Sequence, residues 1–270
     1  MSKRKRRKKI RILICFILFI CIVIGGVLFM NNKNDNNKKE ITNDIKEEEV
    51  ANDMEKAPAN STSYDSLADG EYITSKGFIV KKENGISYID GNLIVNKTYS
   101  LPSSFVPRNP YNGDKTSPWC INCIDSDVMS SFKLMQSDAK SLGLNIYISS
   151  GYRGYNRQKE LYNNYVNRDG VEAADRYSAR AGHSEHQSGL CFDLNSIDDS
   201  FTNTAEGKWV NNNCYLYGFI IRFPKGLESE TGYQYESWHL RYVGKELAEK
   251  LYNNGNWISL ENYYGISSEY

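Results

Sequence analysis

From Asp127 onward, Val128, Phe132, Met135, Ala139 and Leu142 recur at spacings of four, three, four and three. That spacing puts them on one face of a helix, which Gly143 ends. Upstream, residues 78–95 (FIVKKENGISYIDGNLIV) break apolar stretches with Asn-Gly and Asp-Gly, the dipeptides that favour tight hairpins, so small strands are expected to open the domain. Downstream, LNIYIS (144–149), LCFDL (190–194) and GFIIRF (218–223) read as strands. RQKELYNNYV (157–166) and KELAEKLYNN (245–254) read as helices. Helices and short strands are mixed without a regular βαβ rhythm. This predicts an α+β domain with a small mixed or antiparallel sheet and flanking helices, rather than a doubly wound sheet.

The pattern is different near the N-terminus. Residues 12–30 (ILICFILFICIVIGGVLFM) are an apolar run of 19 residues, long enough to cross a hydrocarbon core as a helix. Eight Lys and Arg among the first eleven residues stay on the cytoplasmic side, so the chain beyond Met30 is expected outside the membrane. The run continues into Asn and Lys with no small-residue cleavage site, which favours a retained anchor over a cleaved signal. Phe19 and Ile20 are too bulky to precede a lipidated Cys21. Residues 31–70 are rich in Asn, Lys, Glu and Asp, which predicts a flexible tether. Four segments are expected: a basic cytoplasmic tail over 1–11, an anchor over 12–30, a linker over 31–70 and one folded domain over 71–270.

The zero net charge of the chain conceals this asymmetry, because 25 basic and 33 acidic groups lie beyond the tail, a net of −8. Such a surface does not suit a phosphate backbone, which excludes a nucleic-acid partner. Of six cysteines, Cys15 and Cys21 lie in the apolar run. In an exported domain Cys120 with Cys123, and Cys191 with Cys214, are candidate disulfide pairs.

Three histidines occur in the chain. In HSEHQSGLCFDL, His186 precedes Asp193 by seven residues, and Gly189 between them permits a sharp reversal into the LCFDL strand. In YESWHLRYVG, Glu236 precedes His239 by three residues. Two imidazoles and a carboxylate are a ligand set for catalytic zinc, which takes three protein ligands and leaves a fourth position for water. A second carboxylate nearby is suited to moving a proton. Each histidine also has a plainer reading, as a hydrogen-bonded surface or core group. His183 is expected to be a solvent-exposed imidazole.

These residues resemble the VanY-type D-alanyl-D-alanine carboxypeptidases, whose signature is Ser-x-His, a downstream Asp, and Glu-x-Trp-His. The chain has Ser184, His186 and Asp193, then Glu236, Trp238 and His239. The resemblance runs in order through NLIVNKTYSLP (92–102), SGYRGYNRQ (150–158), YGFIIRFPKG (217–226) and YESWHLRYVG (235–244). It implies a zinc DD-peptidase fold of the hedgehog-like type, with zinc held by His186, Asp193 and His239 and with Glu236 as general base and acid. It also implies that Arg153 contacts the substrate's carbonyl and carboxylate, with Gln158 and Ser184 as further substrate contacts. A guanidinium offers paired donors suited to that task. Cys191 departs from the family, which more often has alanine there. It sits two residues from Asp193, on the same strand face, where a thiolate would compete for a metal, although packing as a small buried residue is favoured.

The expected activity is zinc-dependent release of D-alanine from peptidoglycan stem peptides outside the membrane. An L,D-carboxypeptidase or an endopeptidase would use the same zinc site. A wall-binding module without catalysis is the reading from another class, and the spare proton carrier Glu236 counts against it.

Overall fold

Two dipeptides in left-handed conformation shape the start of the domain. Asn84 and Gly85 have φ of 51° and 79°, and Asp90 and Gly91 have 47° and 75°. Paired positive φ values make turns whose twist matches that of the flanking strands. They join β2 (Ile79–Glu83), β3 (Ile86–Ile89) and β4 (Asn92–Ile94), and with β1 (Tyr72–Ile73) these form an antiparallel four-stranded sheet in sequence order. The computed structural model describes residues 67–107, 109–110 and 119–270. The expected tail, anchor and most of the linker lie outside the described residues. Among the described residues no helix is long and apolar enough to cross a membrane.

The remaining elements, in chain order, begin with β5 (Trp119–Cys120), α1 (Ser126–Ser141), β6 (Ile148–Ser150), β7 (Tyr152–Arg153), α2 (Tyr155–Asp169) and α3 (Val171–Tyr177). A short 3-10 turn, Glu185–Ser188, leads into β8 (Cys191–Leu194), followed by α4 (Ala205–Asn213), β9 (Phe219–Phe223) and α5 (Glu228–Thr231). β10 (Glu236–Tyr242), α6 (Lys245–Tyr252) and α7 (Leu260–Tyr264) complete the fold. The second four-stranded sheet has the order β6-β8-β10-β9 and is antiparallel at each pairing. The α+β class is as expected from the sequence, and its sheets are antiparallel rather than mixed.

Helix α1 begins where the Asp125 carboxylate accepts the Asp127 N–H, and it ends before Gly143, whose φ is 79°. Its buried stripe is Val128, Met129, Phe132, Met135 and Ala139, while Leu142 is exposed at the end. The stripe packs on Phe192, Leu194, Phe219, Ile221 and Leu240 of the second sheet, with Phe132 and Phe192 edge to face at 5.1 Å. This covers one face of the sheet and leaves the other for chemistry.

Three expectations need correction. LNIYIS becomes a strand only at Ile148–Ser150. Ahead of it the Asn195 side chain takes the place of a strand partner, accepting from Tyr147 N–H and donating to Asn145 O. Cys120 and Cys123 are bonded, but Cys191 and Cys214 are free and buried. Strand alternation explains why: Cys191 shares the face of Asp193, whereas Cys214 packs with Phe192 and Leu194 on the opposite side. His183 is half-buried rather than exposed, with Nδ1 2.9 Å from the Asn96 carbonyl and its ring against Tyr270.

The disulfide loop presses against the strand pair that leads to Arg153. A Cβ built on Gly151 would meet the Ile121 carbonyl oxygen at 2.0 Å and its carbon at 2.8 Å. Backbone atoms held by a bridge cannot yield as a flexible side chain would. Gly151→Ala is therefore expected to destabilise the domain by on the order of 3 kcal/mol, read as a lowered denaturation midpoint. Gly143→Ala has nothing within 4 Å and is expected to cost only the ~1–2 kcal/mol of a left-handed residue.

Candidate metal and peptide site

The register of two strands makes the centre of the site. β8 and β10 pair Asp193 with His239, and directly paired residues place their side chains on one face about 5 Å apart. The 3-10 turn ahead of β8 delivers His186 to the same place, its reversal closed by Gly189 at φ 72°. His186 Nε2 lies 3.3 Å from Asp193 Oδ2, and His239 Nδ1 lies 3.1 Å from Asp193 Oδ1. The two imidazole rings are edge to face at 5.0 Å. All three side chains are buried.

Glu236 reaches this group through an irregularity. In a regular strand residues three apart point to opposite faces. The β9–β10 register shifts between Glu236 and Leu240, which brings Glu236 round to the side of His239, with Oε2 3.7 Å from His239 Nδ1. Trp238 meanwhile stays in the core. Burial, reinforced by the Asp193 charge, pushes the Glu236 carboxyl up to about 7, against the pull of His239, His186 and Arg153. Asp193 moves the other way. Burial favours its neutral form, but His186 and His239 outweigh that and hold it well below the usual carboxylate range. Two nearby carboxylates thus have different protonation behaviour, as acid–base chemistry near neutral pH requires.

The donor set fits a zinc ion. Donors at 2.0–2.1 Å around a tetrahedral metal stand roughly 3.3 Å from each other, and the two Asp193–imidazole separations, one to each carboxylate oxygen, are close to that. The His186 Nδ1 is 2.6 Å from the Gly151 carbonyl, so in the neutral, metal-binding ring it carries the proton and leaves Nε2 bare. A second set, His186, Cys191 and His239, has its ligand atoms within 4.8 Å of one another. Burial raises the Cys191 thiol and the two imidazoles outweigh it, bringing it down to about 7. Asp193 needs no deprotonation to bind a cation at neutral pH, which favours the carboxylate set.

Around these residues lies a cleft of about 360 Å³, lined also by Arg153, Gln158, His183, Ser184, Trp119 and Tyr233. Every site residue expected from the sequence is in or beside it. Arg153 is half-buried on β7, paired with Trp119 of the disulfide loop. Gln158 is buried in the first turn of α2, where its Nε2 donates to Ala179 O at 2.6 Å and Ser178 Oγ at 3.3 Å. Its Oε1 is buried without a partner among the described residues. An unpaired buried acceptor in a cleft wall suits a donor arriving with a ligand. The sequence reading missed Trp119, Tyr233 and Glu185. Only Glu185 had a signal, since Arg222 and Arg241 are charged residues within apolar strands and such residues require a buried counter-ion.

Residues 122–245 match the family model described as VanY, D-alanyl-D-alanine carboxypeptidase. YodJ of Bacillus subtilis (strain 168) is 34% identical over 261 residues, covering 92% of this chain and 93% of that protein. Among solved structures, the LdcB LD-carboxypeptidase is 35% identical with a TM-score of 0.58, over 71% of this chain and 95% of that one. The vancomycin-resistance D,D-pentapeptidase VanY, solved with Zn(II), is 30% identical with a TM-score of 0.52, over 63% of this chain and 96% of that one.

Proposed function

The chain belongs to the VanY family of D-alanyl-D-alanine carboxypeptidases, and on that premise we propose that it is a zinc carboxypeptidase releasing C-terminal D-alanine from peptidoglycan stem peptides. The observation that carries the reading is the meeting of His186, Asp193 and His239 on one sheet face, with Glu236 beside them and Arg153 in the same cleft. His186 Nε2, Asp193 and His239 Nδ1 would hold the ion. Bound zinc supplies Lewis acidity, polarising a carbonyl and lowering the pKa of water.

The protein supplies the rest. Glu236, with a carboxyl near 7, is able to take a proton from water and return it to the leaving amine. Arg153 offers paired donors to the substrate's terminal carboxylate and to charge developing on the scissile carbonyl. Gln158 Oε1, without a partner among the described residues, accepts an N–H of the peptide. Ser184, at the rim of the ligand turn, adds a hydroxyl to the same wall. Burial of the group limits solvent at the reacting atoms, which strengthens each of these contacts.

A second reading changes the bond cut, to the L,D linkage of a tetrapeptide. It is supported by the LdcB structure, which aligns over 71% of this chain against 63% for VanY. The basic tail and apolar run support placement of the catalytic domain outside the membrane on a single N-terminal helix. Incubating the full-length protein with purified muropeptides, with and without chelator, tests the proposal by mass spectrometry. Loss of one alanine from pentapeptides, abolished by chelator and restored by zinc, is expected. Loss of alanine from tetrapeptides alone would replace the D,D reading with the L,D one. Cleavage inside the stem would make the protein an endopeptidase, and intact muropeptides throughout would remove the enzyme reading.

A further inference from the structure

His239 Nε2 and Glu185 Oε2 are both buried, neither has a hydrogen-bond partner among the described residues, and they lie 3.5 Å apart. A ring nitrogen and a carboxylate oxygen in that position satisfy each other only when the nitrogen carries the proton. In the neutral ring that binds a metal, the proton on Nε2 leaves Nδ1 bare, and Nδ1 is the atom that faces Asp193 and Glu236.

The Glu185 carboxylate is itself held in place. Its other oxygen, Oε1, accepts from Arg222 Nε at 2.8 Å and from Arg241 Nη1 at 2.9 Å. Arg222 is in turn gripped by both oxygens of Glu261 on α7, at 2.8 and 2.6 Å, and Arg241 donates to the Leu93 carbonyl at 2.6 Å. Two arginines and two glutamates, each buried, thus balance in charge beside the site. Buried ion networks of this kind add little net stability over apolar packing. Orienting a ligand is the return that the geometry shows.

We propose that Glu185 is a positioning residue for the metal site: it accepts the His239 Nε2 proton, locking the ring so that Nδ1 is the ligand, while Arg222 and Arg241 immobilise its carboxylate. Carboxylates that hold the outer N–H of a ligand histidine raise its basicity and fix its orientation. The proposal rests on the zinc reading above. It gives the two histidines opposite settings, since His186 donates its Nδ1–H to the Gly151 carbonyl and His239 its Nε2–H to Glu185.

The test uses the full-length protein loaded with cobalt(II), whose paramagnetism shifts the exchangeable ring N–H protons of ligand histidines clear of other signals. Wild type is expected to show two slowly exchanging signals. In Glu185→Gln the His239 signal should move and exchange faster while that of His186 stays, and zinc affinity should fall about tenfold to a hundredfold. An unmoved His239 signal would overturn the proposal, even with weakened affinity, since that would be a merely structural effect. Movement on Cys191→Ala in place of Glu185→Gln would also overturn it, by making the thiol the acceptor. Should Glu185→Gln fail to fold, carbon-13 shifts of the wild-type ring decide, and ligation of His239 through Nε2 would overturn it. Wild type that takes up no cobalt would overturn the metal reading and this proposal together, whereas the variant outcomes strike the positioning alone.

Discussion

Glu236→Gln is expected to keep zinc bound at full stoichiometry and to lower the turnover of D-alanine release by on the order of 10²–10⁴. The substitution preserves shape and removes only the ability to accept and return a proton. Because Glu236 is not among the three converging donors, metal content measured by atomic absorption should match wild type. Unchanged turnover would take Glu236 out of the mechanism. The same variant has a stability signature in metal-free protein. Burial raises the Glu236 carboxyl from 4.5 to about 7, so its ionised form is disfavoured in the folded state. The folded protein binds the extra proton between those values, and stability from this group is present below pH ~4.5 and lost as pH rises through ~7. Glu236→Gln removes that loss. It should stabilise the metal-free protein by on the order of 1–3 kcal/mol at pH 8 and leave it unchanged at pH 4, read from denaturant midpoints.

His239→Ala is expected to abolish stoichiometric zinc binding and with it all measurable hydrolysis. The ring lies between Asp193 and Glu185, so its loss removes a ligand and takes one partner from each of two buried carboxylates. Glu185 keeps Arg222 and Arg241 and Asp193 keeps His186, but removing a buried ring leaves a cavity, and the variant should also melt earlier than the chelated wild type. Full zinc occupancy in His239→Ala, measured after extensive dialysis, would contradict the ligand assignment. The comparison with Glu236→Gln is informative, because one variant loses the metal and the other only the proton carrier.

The disulfide loop gives the site part of its rigidity. Its Ile121 backbone packs on Gly151, whose carbonyl holds His186. A change remote from the donors therefore reaches them through two backbone contacts. This explains why a glycine is required between Ser150 and Tyr152 without any left-handed backbone there.

Local patterns in the chain were enough for several conclusions. Helix α1 was legible because one apolar stripe at helical spacing needs only one surface to bury against. The hairpins of the first sheet were legible because Asn-Gly and Asp-Gly encode their own turn conformation. His186, Asp193, Glu236 and His239 were candidates from residue type, and their roles came from the ordered motifs that resemble the VanY family. What the amino-acid order left open was everything set by contacts between distant segments. Strand periodicity puts Glu236 and His239 on opposite faces, and only the shifted β9–β10 register brings them together. Residue types allowed Cys191 to pair with Cys214, and only the sheet, by placing them on opposite faces, kept both thiols free. The Glu185–Arg222–Arg241–Glu261 network joins four separate segments, and no local rule relates them. The reason is the same each time: hydrophobic spacing and turn chemistry act over a few residues, whereas register, facing and charge pairing depend on which segments meet once the core has formed.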